Sequence, residues 1–176
     1  MKQQLEKYLF RKSKHTYAVL DGASVPDLPV KLHEMNPQHL CLYRGELEPD
    51  LLYVAPYLVY LLPGTEFTDW VLSGCWGRHW GIFVQTPLTL VAMRKHFRSL
   101  LTVYDETGKP LLFRFYDPRV FLSFVPTCNS EELKEFFGPV NYYFAESEDA
   151  TRLRRFQFEE NKLRKTSLSL QTAGQG

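Results

Sequence analysis

The stretch Trp80-Gly81-Ile82-Phe83-Val84, followed by Thr86-Pro87 and then by Leu90, Met93, Phe97 and Leu100, decides how this chain is read. Its first part is a short apolar run of the kind that forms a buried strand. Thr86 is a good helix N-cap and Pro87 suits the first helical position. Leu90, Met93, Phe97 and Leu100 then recur at helical spacing, while Arg94, Lys95 and Arg98 occupy the other faces. A buried strand feeding an amphipathic helix is one half of a layered α/β pattern.

The same alternation extends to both sides. Upstream, a short helix is expected over 2–12 and a buried strand over Tyr17-Ala18-Val19-Leu20, stopped by Asp21-Gly22. A short helix around Val30–Met35 follows, then a strand over Leu40–Tyr43, a helical turn over Leu51–Ala55 and a strand from Pro56 to Leu62. Thr65 is placed to cap a helix running to about Ser73. Downstream, Leu101–Tyr104 and Leu111–Tyr116 flank Asp105-Glu106-Thr107-Gly108-Lys109-Pro110, a hairpin loop. A short helix over Arg119–Phe124 comes next. A helix with Asn129 and Glu132 as capping pair is then stopped by Gly138-Pro139, and a strand covers Asn141–Phe144. Thr151–Phe158 is expected as an edge strand or helix, and the polar segment from Lys165 onward as a fraying tail. No internal repeat is visible. The reading is a single compact α/β domain over 1–148, a mixed sheet with flanking helices, and a basic, partly disordered extension over 149–176.

Composition supports a folded body. The 176 residues are 44% hydrophobic and 15% aromatic, enough for a real core and for broad contact surfaces. Net charge is +1, with +3 on residues 149–176 and −2 elsewhere, which does not point to nucleic acid. Cys41, Cys75 and Cys128 are odd in number and share no metal-ligand spacing, so a reducing compartment is expected. There is no apolar stretch of about 18 residues that would span a membrane. The start, Met1–Glu6, lacks the apolar centre of a secretory signal, so a cytoplasmic location is expected.

Four constellations are candidates for chemistry. Cys75 lies four residues before His79, a pair that a small cysteine hydrolase would use as nucleophile and base, but nearness in sequence does not supply the geometry. The plain alternative is a glycine-rich turn entering a strand. His15, His33, His39, His79 and His96 are scattered without a metal-binding pattern. Glu46, Glu48 and Asp50, and the pair Asp105-Glu106, lie in loop-like sequence and read as solvated surface. The fourth is Arg114-Phe115-Tyr116-Asp117-Pro118-Arg119, charges among aromatics at the end of an expected strand. There Arg114 and Tyr116 would share one face of the strand and Phe115 the other. Asp117 is placed to cap the helix that Pro118 begins, and either arginine can pair with it bidentately. A polar lock explains every residue of the run; contact with a partner is the alternative.

At this point the sequence resembles the type VI secretion effector adaptors, or effector chaperones. The resemblance rests on Tyr17-Ala18-Val19-Leu20-Asp21-Gly22-Ala23, Ala55-Pro56-Tyr57-Leu58-Val59 and Trp80–Val84. It continues through the helix with Arg94, His96, Phe97 and Arg98, then Leu112–Arg119 and Phe136-Phe137-Gly138-Pro139-Val140. It implies a bacterial cytoplasmic adaptor that binds a toxic effector and helps load it onto the spike protein, without catalysis or cofactor. Family members often carry a further C-terminal lobe, and with about thirty residues following the pattern either a short form or a shortened second lobe is expected here. Trp70, Trp76 and Tyr142, with the basic tail, are the expected contact surface.

Overall fold

The computed structural model describes residues 1–10 and 14–170. In chain order the elements are α1 (Lys2–Leu9), β1 (His15–Asp21), α2 (Leu28–Met35), β2 (His39–Cys41), α3 (Pro49–Val54), β3 (Pro56–Tyr60), α4 (Glu66–Gly74) and β4 (Gly81–Thr86). They continue with α5 (Leu90–Leu100), β5 (Thr102–Tyr104), β6 (Pro110–Leu112), α6 (Pro118–Phe124), a 3-10 turn (Val125–Thr127), α7 (Ser130–Phe137), β7 (Tyr142–Glu146), β8 (Arg152–Glu159) and β9 (Lys162–Ser169).

Seven strands form one sheet in the order β2-β3-β1-β4-β7-β8-β9, and β5 and β6 form a separate two-stranded ribbon. The α/β architecture with flanking helices is as the alternating pattern predicts. Every strand pairing is antiparallel, a finer point than that alternation determines.

The central strands read as unbroken apolar runs because both faces of the sheet are covered. Period-two alternation then sorts their side chains into two cores. Ala18, Leu20, Val59 and Phe83 pack with α1, α2 and α4 through Leu5, Leu9, Leu28, Leu32, Phe67 and Val71. Tyr17, Val19, Ile82, Val84 and Tyr143 pack with α5, α6 and α7 through Met93, Phe97, Phe121, Leu133, Phe136 and Phe137. The second core is dominated by aromatic rings: Phe121 lies 5.9 Å from Phe136, 5.3 Å from Tyr143 and 5.1 Å from Phe156 between ring centres. Such tilted and edge-on pairs add to the burial energy.

Three expectations change. The helix after β4 begins at Leu90, not Pro87. Thr86 remains the last residue of the strand; its hydroxyl donates to Pro139 O and accepts from Leu88 N–H, and Thr89 caps the helix instead. Thr65 flanks α4 but its hydroxyl donates to Leu62 O, so it gives no side-chain cap. Residues 152–169 form the hairpin β8–β9, with β8 inside the sheet and β9 at its edge, where a fraying tail was expected from Lys165. Leu153, Phe156, Leu163 and Leu168 anchor that hairpin to the two cores. The expected helical residues 11 and 12 and the tail beyond Leu170 lie outside the described residues.

Because Phe121 is fully buried among three other rings, Phe121→Ala is expected to cost about 3–5 kcal/mol, read as a lowered midpoint in urea unfolding.

Candidate functional site

The run from Arg114 to Arg119 is a loop and a helix start, which corrects the expected strand. β6 ends at Leu112, and the chain turns at Phe115-Tyr116, with Asp117 N–H donating to Arg114 O at 3.0 Å. Three residues per strand are all the ribbon has. Beyond them the chain leaves the ladder to bring Phe115 against Phe97 and Phe136, 5.5 and 6.1 Å away.

Asp117 is the N-cap of α6, with Pro118 at the first helical position, as the sequence predicts. Its Oδ1 accepts from the Arg119 backbone N–H and from Nε, both at 3.0 Å, and its Oδ2 accepts from Arg119 Nη2 at 2.7 Å. Arg114 turns elsewhere. Its Nη2 donates to Asp21 Oδ2 at 2.5 Å and stands 3.7 Å from Asp117 Oδ2, so one guanidinium bridges two buried carboxylates. Asp21 also accepts from Ala23 N–H and the Ser24 hydroxyl. Asp21 was missing from the sequence-level site. Its signal was the Asp-Gly pair ending a buried strand, which by itself reads as a turn.

The lock is electrostatically consistent. Burial pushes the Asp117 carboxyl up, but hydrogen bonds from the Arg119 side chain and backbone, together with the charges of Arg119 and Arg114, outweigh it. Asp117 is therefore held below the usual carboxylate range. Burial pushes the Tyr116 phenol well above its ordinary value, so it remains neutral beside these charges.

Next to Asp21 the chain passes under α3. Gly22 N–H donates to Ala55 O at 3.1 Å, and a side chain at Gly22 would lie 2.4 Å from Ala55 O and 2.6 Å from Tyr53 O. Tyr57 hydroxyl donates to Leu52 O. α3 is thus seated on the body by its backbone, while Leu51, Leu52, Tyr53 and Val54 are all exposed. Four consecutive apolar side chains facing solvent on a fixed turn are unusual without a partner. The β5–β6 ribbon exposes Val103, Tyr104, Leu111 and Leu112 in the same manner.

Cys75 and His79 lie in a closed turn. Glu146, buried at the end of β7, accepts from Gly77 N–H at 2.5 Å and His79 N–H at 2.7 Å. His79 Nδ1 is 2.8 Å from Glu146 Oε1 but out of line for a hydrogen bond. Gly77 and His79 both have left-handed backbones, which lets the turn wrap around the carboxylate. Cys75 is buried, and burial first, then the charge of Glu146, pushes its thiol up to about 12. That setting opposes the thiolate a nucleophile needs. Glu146 too escaped the sequence reading. Among the described residues, no three His, Cys, Asp or Glu side chains are grouped to hold a metal ion.

Trp70, Trp76 and Tyr142 are half-buried rather than openly exposed, and all three pack against the first core. Trp70 packs in tilted geometry against Phe67 and Trp80, and Trp76 Nε1 donates to Ala150 O. Tyr142 carries Lys14 at 4.7 Å and Arg155 at 5.3 Å from its ring centre.

A three-layer α/β/α domain in which a half-exposed arginine locks two buried aspartates beneath an exposed apolar turn is the class that fold and site define. The chain belongs to the family of the domain of unknown function DUF4123, whose signature matches residues 16–135. That match takes in Asp21, α3, Arg114, Asp117 and Arg119. No curated protein and no solved structure matches the chain. No helix among the described residues is long and apolar enough to cross a membrane.

The depressed Asp117 value fixes a pH dependence. Its stabilising effect is fully present above its unfolded value, near 3.8, and is lost as pH falls through the lower folded value. Asp117→Asn is expected to lower stability by about 1–3 kcal/mol at neutral pH, and the gap to the wild type is expected to shrink below about pH 3.8 in urea titrations.

Proposed function

We propose that this protein is a non-catalytic adaptor that binds a type VI secretion effector in the bacterial cytoplasm and assists its loading onto the spike protein. The sequence resemblance supplies the partners. The exposed run Leu51–Val54 is the observation that carries the reading, because a rigid apolar turn at the surface is what a protein partner buries. The ribbon β5–β6 offers a second such surface. Arg114, Tyr116, Asp117, Pro118 and Arg119 then act as scaffold: they fix the loop that holds Asp21 and, through Gly22, the seat of α3. Trp70, Trp76 and Tyr142 remain a further candidate surface.

Co-expression with the proteins of the neighbouring genes tests this. The full chain is expected to co-purify with an effector and a spike protein. A Leu52→Asp/Tyr53→Asp variant is expected to keep its melting temperature and lose at least about tenfold in effector affinity. Capture of neither protein by the wild type refutes the adaptor reading. Undiminished capture by the variant removes α3 from the interface. Alanine at Trp70, Trp76 and Tyr142 with binding unchanged removes those side chains.

A further inference from the structure

A cleft of about 650 Å3 opens between the N-terminal half of α5 and Arg44, which follows β2. Its walls are Arg44, Thr89, Val91, Ala92, Arg94, Lys95 and Arg98: four cations and no carboxylate. Among the described residues, none of the four forms an ion pair within 4 Å. By contrast, Arg114 and Arg119 are paired in the lock, and Arg164 is paired with Glu159 and Glu160.

The cluster is built, not merely permitted. Arg98 donates through Nε to Leu42 O at 3.0 Å and through Nη2 to Cys41 O at 3.2 Å and Tyr43 O at 2.5 Å. Three backbone carbonyls thus hold one side of the guanidinium, and its Nη1 makes no hydrogen bond among the described residues. Burial first, and then the charge of Arg94, draws the Arg98 guanidinium below its ordinary value, with Arg44 acting the same way. Like charges gathered without a counter-charge lower stability and create a focused positive potential. An anion in the cleft relieves both effects.

The surroundings select the anion. Val91, beside Arg94 and Lys95, is 63% exposed and offers an apolar contact. Glu46, Glu48 and Asp50 follow Arg44 within six residues and are all exposed, so no basic run continues along the chain from Arg44 as a track for a long polyanion. A short segment carrying both carboxylates and an apolar side chain fits better than a nucleic acid. We infer that the cleft lined by Arg44, Arg94, Lys95 and Arg98 docks an acidic segment of a protein partner, with carboxylates on the cations and an apolar side chain on Val91. The inference rests on the adaptor reading, since it names the chemistry of one partner contact.

Fluorescence anisotropy of a short labelled peptide of Glu, Asp and Leu, with the full chain at low and at physiological salt, provides the test. The wild type is expected to bind, more weakly as salt rises. Arg94→Glu/Lys95→Glu is expected to lose at least about tenfold, and Arg152→Glu on β8 to change little. Arg94→Gln/Lys95→Gln, which introduces no repulsion, serves if the first variant fails to fold and is expected to weaken binding in the same direction. No binding by the wild type, equal losses in Arg152→Glu, or tighter binding of a DNA duplex than of the peptide overturns the inference. The two readings separate in co-purification. If Arg94→Glu/Lys95→Glu still captures effector and spike undiminished, the acidic-segment site fails while the adaptor stands. If the wild type binds the peptide but captures neither protein, the adaptor fails while the site stands.

Discussion

Arg114 joins two carboxylates that the fold has taken out of water. Asp21 ends the central strand β1, Asp117 begins α6, and both are almost fully buried. Neither carboxylate is tolerable there without charged donors. Arg114 keeps part of its guanidinium in solvent, so simple attraction is screened; the hydrogen bond to a buried oxygen is what matters. The consequence is topological. The segment between the ribbon β5–β6 and α6 is pinned to the end of β1, 93 residues earlier in the chain. Remove that pin and the α6 cap, the turn at Asp21 and the contact of Gly22 with α3 lose a common anchor.

This arrangement separates scaffold from surface. The aromatic core under α5, α6 and α7 and the aliphatic core under α1, α2 and α4 hold the sheet from both sides. The lock sits between β1 and α6, and Glu146 performs a similar task at the end of β7 by closing the turn around Cys75. Buried charge in this protein therefore fixes loops. The groups free to meet another molecule lie outside it: the apolar turn α3, the ribbon β5–β6 and the cationic cleft beside α5.

Much of the scaffold was legible in the sequence because its signals are local. The runs at Tyr17, Pro56 and Trp80, the spacing of Met93 and Phe97, the Asn129–Glu132 capping box and the Asp117-Pro118 cap each depend on a few adjacent residues, and each is present. What escaped depends on distant partners. Asp21 meets Arg114, and Glu146 meets the turn at Gly77, through pairings that no spacing announces. Thr86 has the chemistry of a cap, but Pro139 competes for its hydroxyl. The basic residues after 149 resemble a tail by composition, while Leu153 and Phe156 carry them into the sheet. The exposure of Leu51–Val54 was hidden for the converse reason: apolar residues in a helical turn are expected to face inward.

Asp21 and Arg114 act as one structural unit. A double-mutant cycle with Asp21→Asn and Arg114→Gln, followed by urea unfolding at neutral pH, measures it directly. A coupling of about 1–3 kcal/mol between the two positions is expected. Additivity of the single effects to within about 0.3 kcal/mol would show that the two side chains stabilise the fold independently, and would contradict it.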